Sequence, residues 1–283
     1  MTPTLPRQVT GLRHRYFAAV RDQADADALA HSLTTTSGGQ RRRLVMVLVV
    51  SAVSLVLIQL GKNGAEPGWL TSLLRGIGAD GLAADAEEAL LSSDNQRFNQ
   101  LALWAAVQIS GYIILPVLLV KLVLREKFSS YGVTVPRLRD SSIYAVAFIA
   151  FAPIVVLASF TQPFQDRYPF YNLFPGESIW PYLAAWWVLY ALQFAALEWF
   201  FRGFMVHGLK PVVGYLAVPM MVVPYFLIHL QKPALEAAGA ILAGMALGTL
   251  ALKTRTIWWG AALHVTVAMT MDLSSLTQKG LLF

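Results

Sequence analysis

Six ionisable side chains lie in or at the ends of long apolar stretches in the second half of this 283-residue chain: Glu198, Arg202, His229, Glu236, His264 and Asp272. An Asp, Lys or Arg at the centre of a membrane helix costs roughly 2.5–3.5 kcal/mol on insertion scales, so such residues usually mark a function. The apolar stretches before residue 161 hold almost none. Two imidazoles on different stretches, His229 and His264, together with Glu198, match the two-His, one-Glu ligand set of catalytic zinc sites, which leaves a fourth position for water. The alternative is a pair of histidines bonding across helices, which occurs in membrane bundles. Glu198 and Arg202 are spaced i, i+4 and share a helix face, which also fits a neutralised structural ion pair. Asp272 is either part of the polar set or an interfacial residue. The chain has no cysteine. That removes thiolate nucleophiles and disulfides and leaves His and carboxylates as the only metal ligands.

The elements that position these groups are hydrophobic helices. The sequence is 56% hydrophobic and 13% charged, whereas soluble domains carry about 25% charged residues. Its mean hydropathy is +0.54. Apolar runs recur over most of the length, and in lipid such runs must satisfy their backbone groups internally, so they are read as helices. The fold class is therefore all-α, a polytopic transmembrane bundle of about seven spans. These are expected at Leu44–Leu60, Leu101–Leu124, Ile143–Phe160, Trp180 through Phe204 and on toward Leu209, Tyr215–Leu230, Ala234–Leu252 and Ile257–Met271. Residues 1–43 are read as a cytoplasmic tail rather than a signal peptide, with a short helix around Arg13–Leu33. Residues 44–140 are read as two N-terminal spans with an acidic outer loop, and 141–283 as the core that carries the site. In the acidic 61–98 loop, the segment with Trp69, Leu73 and Ile77 is expected to lie on the membrane surface.

Basic residues set the orientation. The Arg41–Arg43 triplet, the cluster between Arg125 and Arg139, Lys210, Lys253 and Arg255 fall on one side of the alternating spans. By the positive-inside rule the N-terminus is cytoplasmic, and the chain is a multi-pass inner (plasma) membrane protein. The net charge of +6 is thus topological, and no nucleic acid is expected as a partner. Gly244-x-x-x-Gly248 is a small-residue face for close helix contact. His207 is expected at a solvated inner interface. The tryptophans at Trp180, Trp186, Trp187, Trp199, Trp258 and Trp259 fit either an aromatic belt at the span ends or, for some of them, the core.

Depth gives a further expectation. With a fourth helix reaching Leu209, Glu198 lies about 16 Å above its inner end. Glu198, His229, Glu236 and His264 then surround one cavity. A helix stopping at Arg202 would separate them.

Three short motifs resemble the CAAX-protease and bacteriocin-processing (CPBP) family of intramembrane endopeptidases. Leu197-Glu198-Trp-Phe-Phe-Arg202 resembles its Glu-Glu-x-x-x-Arg motif, Tyr225-x-x-x-His229 its aromatic-x-x-x-His motif, and Leu263-His264 its His-x-x-x-Asn motif. They occur in order over residues 140–275. The resemblance implies a peptide bond hydrolysed near the C-terminus of a membrane-associated or lipidated protein. Glu198, His229 and His264 would hold zinc or another divalent metal, or polarise a water. Glu198 or Glu236 would serve as general base, with Arg202 orienting Glu198. The chain departs from the family pattern at Leu197, where the first glutamate stands, and at Ala268, where the Asn stands. Glu236 and Asp272 are the groups that would compensate. The implied partners are membrane lipids and a membrane-associated protein or peptide substrate. A catalytically inactive relative acting as scaffold, chaperone or subunit, with a partner membrane protein, is the rival reading. A small transporter would also use buried Glu and His, but internal repeats and paired broken helices are missing.

Overall fold

A computed structural model describes residues 17–63, 68–172 and 180–281. Arg13, His14 and Glu66 lie outside these described residues, as does the end of the Thr161–Ser178 loop. The ordered elements are helices: α1 (Ala19–Thr34), α2 (Ser37–Asn63), α3 (Gly68–Gly76), α4 (Asp80–Glu87), α5 (Gln96–Leu118), α6 (Ser141–Ala158), α7 (Gln162–Gln165), α8 (Tyr182–Glu198), α9 (Gly208–Val213), α10 (Ala217–Leu227), α11 (Ala234–Thr254) and α12 (Trp258–Gln278). Among the described residues there is no strand.

The protein is an all-α helical membrane bundle. Five helical runs among the described residues are long and apolar enough to cross a membrane: Ser37–Gly61, Gln96–Val123, Leu138–Ala158, Tyr182–Leu227 and Ala234–Thr254. The seven expected stretches map onto these with two differences. The fourth and fifth stretches form one continuous helical run, broken only by a 3-10 corner at Gly214–Leu216. Within it α10 has 11 residues, about 17 Å at 1.5 Å per residue, which is shorter than a hydrocarbon core of about 30 Å. The seventh stretch forms α12, whose 21 residues include His264, Asp272, Ser274 and Ser275; these polar groups lower its apolarity, and it is not among the five. The tail helix expected over Arg13–Leu33 is described from Ala19 to Thr34.

Contacts divide the chain into two compact units. The first comprises Met1–Ser51, Leu118–Arg137 and Glu198–Gly260. Its centre is the segment Trp199–His207, where the helix widens from α to π hydrogen bonding and all nine residues are buried. Widened turns of this kind are rare and concentrate at functional sites. Gly203 permits the packing there, since a Cβ on it would lie 2.9 Å from the Tyr131 carbonyl oxygen and 3.1 Å from the Trp199 ring. Helices α10 and α11 cross on the expected small-residue face. A Cβ at Gly244 would meet Val222 at 3.0 Å and Tyr225 at 3.2 Å, and one at Gly248 would meet Val218 at 2.9 Å. Gly239 faces open space. A polar knot stands at the end of the π segment: Arg43 donates to Glu126 (2.6 Å), to the Gly208 carbonyl oxygen (2.8 Å) and to the Tyr131 hydroxyl (3.1 Å).

The second unit comprises Ala52–Val117, Leu138–Leu197 and Ala261–Phe283. Helices α2 and α5 meet there at Gly61 and Gly111, whose missing side chains leave room for Val107 and Ile58. Phe98 packs on Tyr182 (ring centroids 5.4 Å) and Trp104 on Trp186 (6.1 Å). Because both numbers in each pair advance together, α5 and α8 run in the same direction. From Trp186 an aromatic ladder follows α8 at i, i+4 spacing through Tyr190 (4.9 Å) to Phe194 (4.6 Å). Trp186 and Trp199 are core residues of their units, while Trp180 is exposed.

Candidate functional site

In the first unit the polar groups are linked one to the next. Glu198 is the last residue of α8, and Arg202 follows one turn later inside the π segment. They form an ion pair, Arg202 Nη1 to Glu198 Oε1 at 2.9 Å, with side chains 0% and 1% exposed. Removing both charges from water costs several kcal/mol per ion, and each is tolerated because it neutralises the other. The guanidinium also lies over the Tyr225 ring, 4.1 Å from its centroid, a cation–π geometry strengthened by the absence of solvent. Tyr225 packs in turn on His229, with ring centroids 4.6 Å apart.

The tautomer of His229 follows from its hydrogen bond. Its Nδ1 lies 2.8 Å from the Tyr225 carbonyl oxygen. A carbonyl only accepts, so Nδ1 carries the hydrogen and Nε2 is the basic nitrogen. His229 stands just beyond the end of α10, half-buried, where its carbonyl accepts the Lys232 backbone N–H at 3.0 Å. Lys232 pairs with Glu236 in the first turn of α11. Glu198, Arg202 and Glu236 all lie within electrostatic reach of the Tyr225 hydroxyl. Tyr225 is thus the residue that joins the Glu198–Arg202 pair to His229.

Gly260 completes the surroundings of Glu198. A Cβ there would come within 2.5 Å of Glu198 Oε2 and 3.2 Å of its carboxyl carbon. The carboxylate therefore sits against bare backbone in the first turn of α12, where unsatisfied N–H groups and the helix dipole favour negative charge. The sequence carries no signal for this contact, because it joins residues 62 positions apart through an atom that glycine lacks. The importance of Tyr225 is visible only as the aromatic position of the second motif.

The remaining expected site residues belong to the second unit. His264 stacks on Phe194, ring centroids 5.3 Å apart and planes 16° apart. Asp272 is fully buried, accepting the Phe170 backbone N–H at 3.0 Å and the Trp187 indole N–H at 3.1 Å. It anchors the loop before α8 and is not an interfacial side chain. His207, expected at a solvated interface, is also buried. Its ring N–H donates to the Ala251 carbonyl oxygen, and Gly132 leaves room for its other edge. The two positions that depart from the family pattern are buried as well, Leu197 at 5% and Ala268 at 4% exposure, and Ala268 packs in the aromatic cluster of the second unit.

Glu198 faces a guanidinium and Glu236 an ammonium, so a divalent cation at either carboxylate would have to displace a cation already there. Among the described residues, no three His, Asp or Glu side chains are grouped to hold a metal ion. As grouped here, the described residues do not fit a metal.

No curated protein and no solved structure matches the chain. Residues 178–270 match a family model, type II CAAX prenyl endopeptidase Rce1-like. That segment contains the Glu198–Arg202 motif, Tyr225-x-x-x-His229 and His264, and over it the chain is similar to the CAAX-protease-like CPBP family.

Proposed function

We propose that the chain is an intramembrane endopeptidase that hydrolyses a peptide bond near the C-terminus of a membrane-associated or lipidated protein. The observation that carries this reading is the Glu198–Arg202–Tyr225–His229 chain, which ends on an imidazole with a defined basic nitrogen. In the proposed reaction His229 Nε2 takes a proton from water as the water oxygen attacks the scissile carbonyl carbon. The C–N bond then breaks, and the imidazolium returns the proton to the leaving amine. Arg202 and Glu198 are positioning residues that act through Tyr225. Glu236, held by Lys232 on the same connection, fixes the turn that carries His229. The basic loops support a plasma-membrane location with the N-terminus cytoplasmic. Because the chain lacks cysteine, single cysteines at Gln23 and Leu82, labelled in intact cells by an impermeant maleimide, test this directly. Labelling at Leu82 alone agrees with it, and labelling at Gln23 alone reverses it.

A specific observation favours a second reading. Leu197 and Ala268 are buried apolar residues where the family pattern has Glu and Asn, so two polar catalytic groups are replaced by packing. A protein of that kind would bind a membrane partner without cleaving it. The two readings separate on one measurement. Full-length protein in nanodiscs is incubated with a C-terminally prenylated peptide, and the products are weighed by mass spectrometry. A released C-terminal fragment establishes hydrolysis. An intact peptide that co-purifies with the protein establishes the binding reading.

A further inference from the structure

Helix α1 packs on three pieces of the first unit: α9, the 3-10 corner at Gly214–Leu216, and α11. Val20 and Ala24, spaced i, i+4, are its buried residues, and Asp27 lies on the same face. Two carboxylates fix the helix at that corner. Asp27 Oδ2 pairs with Lys210 Nζ at 2.7 Å, and Arg255 adds its charge. Asp25 Oδ1 accepts the Tyr215 backbone N–H at 2.7 Å.

The second contact caps a helix in trans. The helical run from Gly214 to Leu227 begins with N–H groups that have no partner within the run. Such groups are commonly satisfied by an Asp, Asn, Ser or Thr immediately before the helix. Here the preceding residue is Val213, and the carboxylate comes from a helix about 190 residues earlier. Gly214 makes room for it. Its φ is +60°, and any Cβ would run into Asp25. Tyr215 passes the contact on, since its hydroxyl pairs with Thr249 on α11 at 2.8 Å.

The corner gripped in this way joins the π segment that carries Arg202 to the helix that carries Tyr225. The cation–π contact between those two residues depends on how the two pieces meet. We propose that α1 is a releasable clamp: docked through Asp25 and Asp27, it fixes the Lys210–Tyr215 corner and thereby seats Tyr225 under Arg202, and undocked, it lets that seat relax. The net charge of Asp27 is secured against acid. Burial raises its pKa, but the bonds from Lys210 and Gln23 outweigh that and hold it below the ordinary carboxylate value. The device stands whether or not the chain hydrolyses peptides.

Hydrogen exchange of the full-length protein in phosphatidylcholine nanodiscs tests it. Three segments are followed: 19–34, the corner at 214–216, and 222–229. Asp25→Ala/Asp27→Ala removes the trans cap and the ion pair, and opening of 19–34 and 222–229 rises together, roughly two- to thirtyfold for the loss of a cap and one half-buried pair. Asp22→Ala, which removes an exposed carboxylate paired with neighbouring Arg21, changes neither segment. The charge swap Asp27→Lys/Lys210→Asp recovers part of the protection that Asp27→Ala loses. If 19–34 opens while 222–229 keeps its wild-type exchange, α1 is a passenger and the clamp is refuted. Unchanged exchange in 19–34 would equally overturn it, because the two carboxylates would then not hold the helix.

Discussion

The two units solve the same problem, a costly polar group in an apolar surrounding, in different ways. In the first, charge is answered by charge: Glu198 by Arg202, Glu126 by Arg43, Asp27 by Lys210, Glu236 by Lys232. In the second, Asp272 is answered by two N–H dipoles and His264 by an aromatic face. An ion pair is unforgiving when one member is lost, since the other remains as an uncompensated charge. A carboxylate held by neutral donors leaves behind only unpaired dipoles. The first unit should therefore be more sensitive to single substitutions, while compensated double substitutions should rescue it.

The largest expected effect is at Glu198 and Arg202. Breaking a fully buried pair from one side costs about 3–5 kcal/mol. Arg202→Met and Glu198→Gln should each lower the melting temperature in detergent far more than Glu198→Leu/Arg202→Met does. Equal losses for single and double variants would show that the pair is not the unit of stability. Asp272→Ala comes next. It strands the Phe170 and Trp187 N–H groups, at about 1–3 kcal/mol for each buried donor left unpaired. Urea or thermal unfolding that shifts as much as in Arg202→Met would erase the contrast between the units. Gly203→Ala should cost about 1–3 kcal/mol by overpacking against the Tyr131 carbonyl and Trp199. A neutral result would mean that the π segment can shift aside.

The smallest effect concerns pH. Burial raises the Glu126 pKa, but its bonds to Arg43 and Tyr131 outweigh this and bring it below the usual carboxylate value. A depressed folded pKa gives stability that is fully present above the unfolded value, about 4.3, and is lost as pH falls through the folded one. The stability gap between wild type and Glu126→Gln should therefore be constant from pH 7 to about 5 and close below about pH 4. A gap that widens on acidification would have the wrong sign for this pair.

Much of the first unit was legible in the sequence. The i, i+4 spacing of Glu198 and Arg202 puts them on one helix face, and the helix does run past Leu209, ending at Val213. The Gly244–Gly248 face packs as small residues in membrane helices do. The π segment was not legible, because a helix buried on every side shows no polar stripe from which to read its period. Gly260 and Asp25 were hidden for another reason. Each acts across a large sequence separation, one through an absent side chain and the other as a cap on a helix it does not belong to. His207 and Asp272 looked interfacial because they stand near span ends, and only their partners show that they are core.

The central claim is that the Glu198–Arg202–Tyr225 chain serves the imidazole of His229. The most direct test is single-turnover cleavage of a prenylated C-terminal peptide by wild type and His229→Ala, each in nanodiscs and confirmed as folded by exchange protection of α11. A positioned general base contributes about 10²–10⁴-fold, so the account predicts cleavage by wild type and a loss of that size in His229→Ala. Cleavage at the wild-type rate by His229→Ala, or none by wild type, would contradict it.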